Sequence, residues 1–114
     1  MRFYLARKIH LAKVTKEEPN YIGSITVDEA LAKKAGFENG ELVHVWDLNN
    51  GERIETYIIF GKKNSGEIIV NGPATKKIKK GHKIIIAGFE LSKKPPKPKI
   101  VLVDEKNRFL KFLK

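Results

Sequence analysis

Leu42-Val43-His44-Val45-Trp46, then Asn49-Asn50-Gly51, then Glu52 through Phe60 is the stretch from which the fold is read. β-Branched and aromatic residues stand on both sides of an Asn-Gly turn, which is a strong hairpin signal. The first arm is expected to run from Leu42 to Trp46 and the return strand from Glu52 to Phe60. On the return strand Arg53 and Tyr57 are four apart and share a face, while Thr56 points to the opposite face unless a bulge re-aims it. Arg53 has the planar fork that holds a carboxylate by two parallel hydrogen bonds. Tyr57 can donate a proton. A surface Arg and a half-buried Tyr are the plain structural alternative.

Working outward, Gly61 to Gly66 reads as a polar turn and Glu67-Ile68-Ile69-Val70 as a strand running into Asn71-Gly72-Pro73. Free backbone N–H groups at such a turn suit an anionic ligand as well as a chain reversal. Ala74 to Ile78 forms one helical turn, and Lys83 to Phe89 is a strand whose Ile84-Ile85-Ile86 reads as buried on both faces. The segment from Ser92 to Pro98 carries three prolines and is an extended loop. Ile100 to Val103 and Phe109 to Leu113 form a last hairpin around Asp104-Glu105-Lys106-Asn107. Toward the N-terminus, Asn39-Gly40 is a turn, and Asp28 caps a short helix through Lys34 with Gly36 just beyond it. Residues 3–14 alternate: Phe3, Leu5, Ile9 and Leu11 are expected on one strand face, Lys8 and His10 on the other as a small cationic wall. A solvated strand face is the alternative there. A helix, a glycine and an apolar strand recur between Asp28–Trp46 and Ala74–Phe89, as a duplicated half-barrel would give. Many short strands and few helix signals point to an all-β, closed barrel.

The 114 residues fit one domain, residues 1–114, small enough that oligomerisation would help it. Lys and Arg number 23 against 13 Asp and Glu, a net charge of +10 gathered largely in the Lys-rich segments 76–83 and 93–99. That charge would serve nucleic acid, an acidic surface or an anionic substrate, and the Lys, Glu and Ile content also matches heat-adapted proteins. A basic barrel binding RNA or single-stranded DNA is therefore a rival reading, but Phe and Tyr do not interleave with the Lys runs as a stacking platform requires. There is no Cys, which excludes disulfides and thiolate metal sites. The N-terminal segment lacks the apolar run of a signal peptide and no segment approaches a membrane span, so a cytoplasmic chain with no membrane partner is expected.

The chemistry centres on Tyr21-Ile22-Gly23-Ser24, which follows the turn-like Glu17-Glu18-Pro19-Asn20 and precedes Ile25-Thr26-Val27. In a strained backbone a Ser hydroxyl can attack the carbonyl of a preceding Gly, turning the peptide bond into an ester, and Gly offers no side chain to block the approach. β-Elimination would then release residues 1–23 and leave dehydroalanine at position 24. Hydrolysis of that group yields ammonia and a pyruvoyl cap. A plain turn into a strand is the competing reading of the dipeptide taken alone.

The ordered set Lys8-Ile9-His10, Val14-Thr15, Tyr21-Ile22-Gly23-Ser24, Trp46, Asn50-Gly51-Glu52-Arg53, Thr56-Tyr57, Val70-Asn71-Gly72, Gly81 to Ile86 and Pro98 to Val101 resembles the pyruvoyl-dependent aspartate α-decarboxylases over nearly the whole chain. The resemblance implies a double-psi β-barrel, a homotetramer, and a precursor that cleaves itself between Gly23 and Ser24 into residues 1–23 and 24–114. It implies conversion of L-aspartate to β-alanine and CO2 for pantothenate and coenzyme A synthesis. A pyruvoyl group is the implied cofactor, with no metal, no pyridoxal phosphate and no nucleic-acid partner. Ser24 would become the pyruvoyl group that forms the Schiff base, and Tyr57 would be the proton donor. Arg53, Lys8 and His10 would hold substrate. Thr56 would support self-cleavage and contact substrate, and Gly72, Pro73 and Ala74 would supply the backbone segment that binds it. A decarboxylase of another amino acid is the nearest alternative. Two departures stand out. The family usually has Asn-Gly-Ala-Ala-Ala where this chain has Asn71-Gly72-Pro73-Ala74-Thr75, so one N–H is missing, and it usually has Asp where His82 stands, which reads here as a surface turn residue.

Overall fold

The computed structural model describes all 114 residues. Its elements are β1 (Arg2–Lys13), β2 (Lys16–Glu18), β3 (Ile25–Asp28), α1 (Glu29–Ala35), β4 (Leu42–Asp47), β5 (Arg53–Gly61), β6 (Ile68–Asn71), a 3-10 turn (Gly72–Lys76), β7 (Lys83–Ser92), β8 (Lys99–Val103) and β9 (Phe109–Leu113). The strands hydrogen-bond in the order β2-β6-β3-β5-β4-β7-β1-β8-β9. Only Val14 and Thr15 separate β1 from β2, so the β2 end of the sheet is the continuation of β1 and the sheet closes on itself. The Val14 N–H donates to the His82 carbonyl at 3.0 Å and the Thr15 N–H to that of Ile68 at 2.8 Å, which carries the pairing across the gap. The result is an all-β barrel of six strands, with β8 and β9 added outside β1.

The internal echo in the sequence has a structural counterpart. Antiparallel β4/β7 (Val45 opposite Ile86) and antiparallel β3/β6 (Ile25 opposite Val70) lie on a pseudo-two-fold axis. Exchanging β4 with β7 and β3 with β6 carries β5 onto β1–β2. Antiparallel β5/β4 then matches β1/β7, and parallel β5/β3 matches β2/β6. Each half contributes one parallel pair, as the double-psi reading requires.

Aliphatic β-branched residues fill the barrel because they pack well on a pleated, inward-curving surface. Ile9, Ile25, Ile58, Ile68, Ile84 and Ile86 are buried together with Val14, Val27, Val43, Val45 and Val70. Each such side chain contributes roughly 1.5–3 kcal/mol on burial. Helix α1 joins the same core through Leu31, Ala32 and Ala35. The Asp28 carboxylate starts it by accepting from the Ala30 N–H at 2.9 Å, and also accepts from the N–H groups of Asn64 and Gly66, so it fastens the helix to the β5–β6 turn. Gly36, at φ 92°, ends it as expected.

Three local expectations change. Strand β1 does not alternate evenly: its pairing with β7 shifts between Leu5 and Arg7 and again between Ile9 and Ala12, and Leu11 sits at φ 66°. The buried residues are therefore Ala6, Ile9 and Ala12, whereas Phe3 is 75% exposed. Glu17 and Glu18, read as turn-like, belong to β2, because their pairing with β6 closes the barrel. Of Ile84-Ile85-Ile86, the first and third point into the core, while Ile85 is only partly buried beside Trp46.

Candidate active site

The chain enters β3 through two residues with positive φ, Gly23 at 131° and Ser24 at 91°. For Gly this conformation is unstrained; for Ser it costs of order 1–3 kcal/mol and persists only if its surroundings impose it. The end of β6 supplies that constraint. The Asn71 N–H donates to the Ser24 carbonyl at 3.1 Å. The Asn71 Nδ2 donates to Ser24 Oγ at 2.9 Å and to Thr26 Oγ1 at 3.0 Å. Ser24 and Asn71 are both buried. Gly72, at φ 68°, lies flat on the same loop: a Cβ there would come 2.9 Å from the Tyr21 carbonyl oxygen and 3.0 Å from the Gly23 N and Cα. Asn71-Gly72 thus acts as a template against which Tyr21–Ser24 is moulded.

Gly23, Ser24, Thr56, Asn71, Pro73 and Ala74 line one cavity of about 300 Å³, with Ile54, Glu55 and Lys77 completing its wall. The sequence-expected Gly23, Ser24, Thr56, Pro73 and Ala74 are therefore brought together, and Gly72 lies against the Tyr21–Gly23 backbone. Thr56 is half-buried, and Tyr57, the next residue along β5, is 40% exposed. Tyr57 is not among that cavity's lining residues; it stands on the exposed face of β5 with Arg53, one residue before Ile58, which pairs with Ile25.

Lys8, His10 and Arg53 do not line that cavity within one chain. Lys8 and Arg53 gather instead around Trp46. The Arg53 guanidinium lies 4.5 Å from the Trp46 ring centroid and Lys8 Nζ 6.0 Å from it, an arrangement in which the cations face the π-system. Trp46 Nε1 is buried with no hydrogen-bond partner, an unspent donor beside two cations. His10 follows Lys8 by two residues, and its pKa is held below the usual histidine value first by burial and then by the Lys8 charge. Its ring is thereby biased toward the neutral form at pH 7.

The structure adds Asn71 and Trp46 to the site residues expected from the sequence. In the sequence Asn71 reads as part of the turn with Gly72 and Pro73, and a polar residue closing an apolar strand is the available signal. Trp46 is the single tryptophan of the chain, and nothing in its local spacing points to two cations on separate strands. His82 lies at the expected turn but is not a bare surface residue: its Nδ1 is 2.6 Å from Asp47 Oδ2, and the Asp47 side chain is fully buried.

Comparison with known proteins gives a family match along the chain. The family model described as aspartate decarboxylase matches residues 1–110. A protein of Thermotoga petrophila named aspartate 1-decarboxylase is 44% identical over 110 residues, covering 96% of each chain. Its namesake from Helicobacter pylori is 50% identical over 110 residues, covering 93% of each chain. Another of that name, from Caldicellulosiruptor bescii, is 47% identical and covers 95% of this chain and 88% of its own.

Proposed function

The chain belongs to the aspartate decarboxylase family, and we propose that it converts L-aspartate to β-alanine and CO2, in the service of pantothenate synthesis, after cutting itself between Gly23 and Ser24. The observation that carries this reading is the buried Ser24 at φ 91° with its Oγ fixed by Asn71. In the proposed maturation, Ser24 Oγ bonds to the Gly23 carbonyl carbon as the C–N bond breaks, leaving an ester and a free amine. Loss of the residue-24 α-proton and of the Gly23 carboxylate then gives dehydroalanine, and water replaces its nitrogen, releasing ammonia. Relief of the backbone strain at Ser24 favours the first step. The surroundings fit a small pyruvoyl group at position 24: the cavity beside it is open, and Gly72 brings no side chain toward Gly23.

That group would supply the electron sink that decarboxylation needs. The chain's own residues do the rest. Thr56 and Asn71 flank Ser24 in the cavity, and Tyr57, on Arg53's face of β5 and outside that cavity in one chain, is the proton donor. Arg53 and Lys8 form a cationic surface of the right sign for a dicarboxylate, and His10, biased toward its neutral form, adds a hydrogen-bonding ring beside Lys8. Because that surface is separate from the Ser24 cavity in one chain, we take the active form to be a homotetramer in which one copy's Trp46 surface faces another copy's Ser24 cavity. Arg53→Lys keeps the charge but loses the planar fork and its stacking on Trp46. It is expected to raise KM for L-aspartate more than it lowers kcat, read by steady-state kinetics on fully processed enzyme.

Pro73 is the second residue of the 3-10 turn, after Gly72, still within the first turn, where a backbone N–H has no partner in the turn and a fixed φ near −65° is favourable. Pro73→Ala should therefore leave KM for L-aspartate unchanged and lower stability by about 0.4–1 kcal/mol. A tenfold fall in KM would mean instead that the missing N–H limits binding. The overall reading is tested by incubating processed protein with L-aspartate and measuring β-alanine and CO2. Absence of both, or a faster reaction with another amino acid, overturns the proposed substrate.

A further inference from the structure

We propose that Lys77 is a specificity-determining residue of the Ser24 cavity, taking a substrate carboxylate that displaces its resting partner Glu52. The proposal rests on the reading that L-aspartate enters that cavity. Lys77 is the one cation among the cavity's lining residues. Its backbone is anchored on both sides: its N–H donates to the Ala74 carbonyl at 3.0 Å, and its own carbonyl accepts from Asn50 Nδ2 at 2.7 Å. The side chain is less committed. Lys77 Nζ lies 3.3 Å from Glu52 Oε2, with 55% and 43% of the two side chains exposed. A strong charge-assisted bond is shorter than this, and an exposed pair contributes little, so an incoming carboxylate can exchange with Glu52 at small cost.

Two neighbours make such an exchange useful. Glu55 lines the same cavity, and its negative charge alone would repel a dicarboxylate. Pro73, four residues before Lys77 on the same segment, has no N–H to offer. Lys77 supplies positive charge on the wall where both effects work against an acidic substrate. A monocarboxylic amino acid, with one carboxylate fewer, gains less from it.

The test compares processed wild type with Lys77→Gln, Lys77→Arg and Glu52→Gln, measuring kcat and KM for L-aspartate together with Tm. Lys77→Gln should raise KM about three- to tenfold with kcat unchanged, below the roughly ten- to hundredfold of a buried charged hydrogen bond because the side chain is half in solvent. Lys77→Arg should restore most of the loss. Glu52→Gln removes the resting partner while the backbone contacts of residue 52 remain, and should lower KM. Added salt should raise the wild-type KM toward that of Lys77→Gln. If the pair is only structural, Lys77→Gln and Glu52→Gln both lower Tm and neither changes KM, which overturns the proposal. A Lys77→Gln chain that fails to process, with KM unmoved in Glu52→Gln, also overturns it. A wild type that processes but does not act on L-aspartate sinks the functional reading instead, so the two failures are distinct.

Discussion

Ser24→Ala is expected to leave the chain at full length and without decarboxylase activity. The substitution removes the only atom at position 24 that can bond to the Gly23 carbonyl carbon, so neither the ester nor anything after it can form. Folding should survive. The side chain is small, Asn71 Nδ2 keeps Thr26 Oγ1 as a partner, and the Asn71 N–H keeps the Ser24 carbonyl, so the loss is about 1 kcal/mol for one hydrogen bond. A denaturing gel reads the result directly: one band for the variant, and two for wild type, residues 1–23 and 24–114. Cleavage of the Ala variant after Gly23 would remove Ser24 Oγ from the mechanism. Ser24→Cys should still cleave, since a thiol can make the same acyl transfer.

Tyr57→Phe is the second large effect and separates maturation from turnover. The ring stays on the outer face of β5 and only the phenol proton goes. Self-cleavage should be untouched, because Ser24 Oγ is positioned by Asn71 and not by Tyr57. With general-acid catalysis removed, kcat should fall by about 10²–10⁴. Near-wild-type kcat in fully processed Tyr57→Phe would mean that another group delivers the proton.

The hairpin at Asn49–Gly51 and the capped helix after Asp28 were legible because each depends on residues close in sequence. Strand β2 was not, since Lys16–Glu18 carry no apolar signal and are strands only because β6 lies beside them. The bulges of β1 were hidden for the same reason: Leu11 takes a positive φ to satisfy pairing with a distant strand, which no local propensity encodes. At the site, Gly23, Ser24, Thr56 and Ala74 could be named from the chain. What could not be read was the hold exerted by Asn71 on Ser24 Oγ, a contact across 47 positions. Nor did spacing reveal that Lys8 and Arg53 meet on Trp46 and not in the Ser24 cavity. Arg53 lies against Trp46 on β4, while the next three residues of β5, Ile54, Glu55 and Thr56, line the cavity.

The central claim is that Ser24 becomes an electrophilic carbonyl, and the mass of the fragment beginning at residue 24 tests it most directly. The account predicts a fragment lighter by one ammonia than residues 24–114 with an intact N-terminal Ser, accompanied by residues 1–23 ending in a free Gly23 carboxylate. A fragment carrying an unmodified Ser24, or a chain that stays whole in active enzyme, would contradict it.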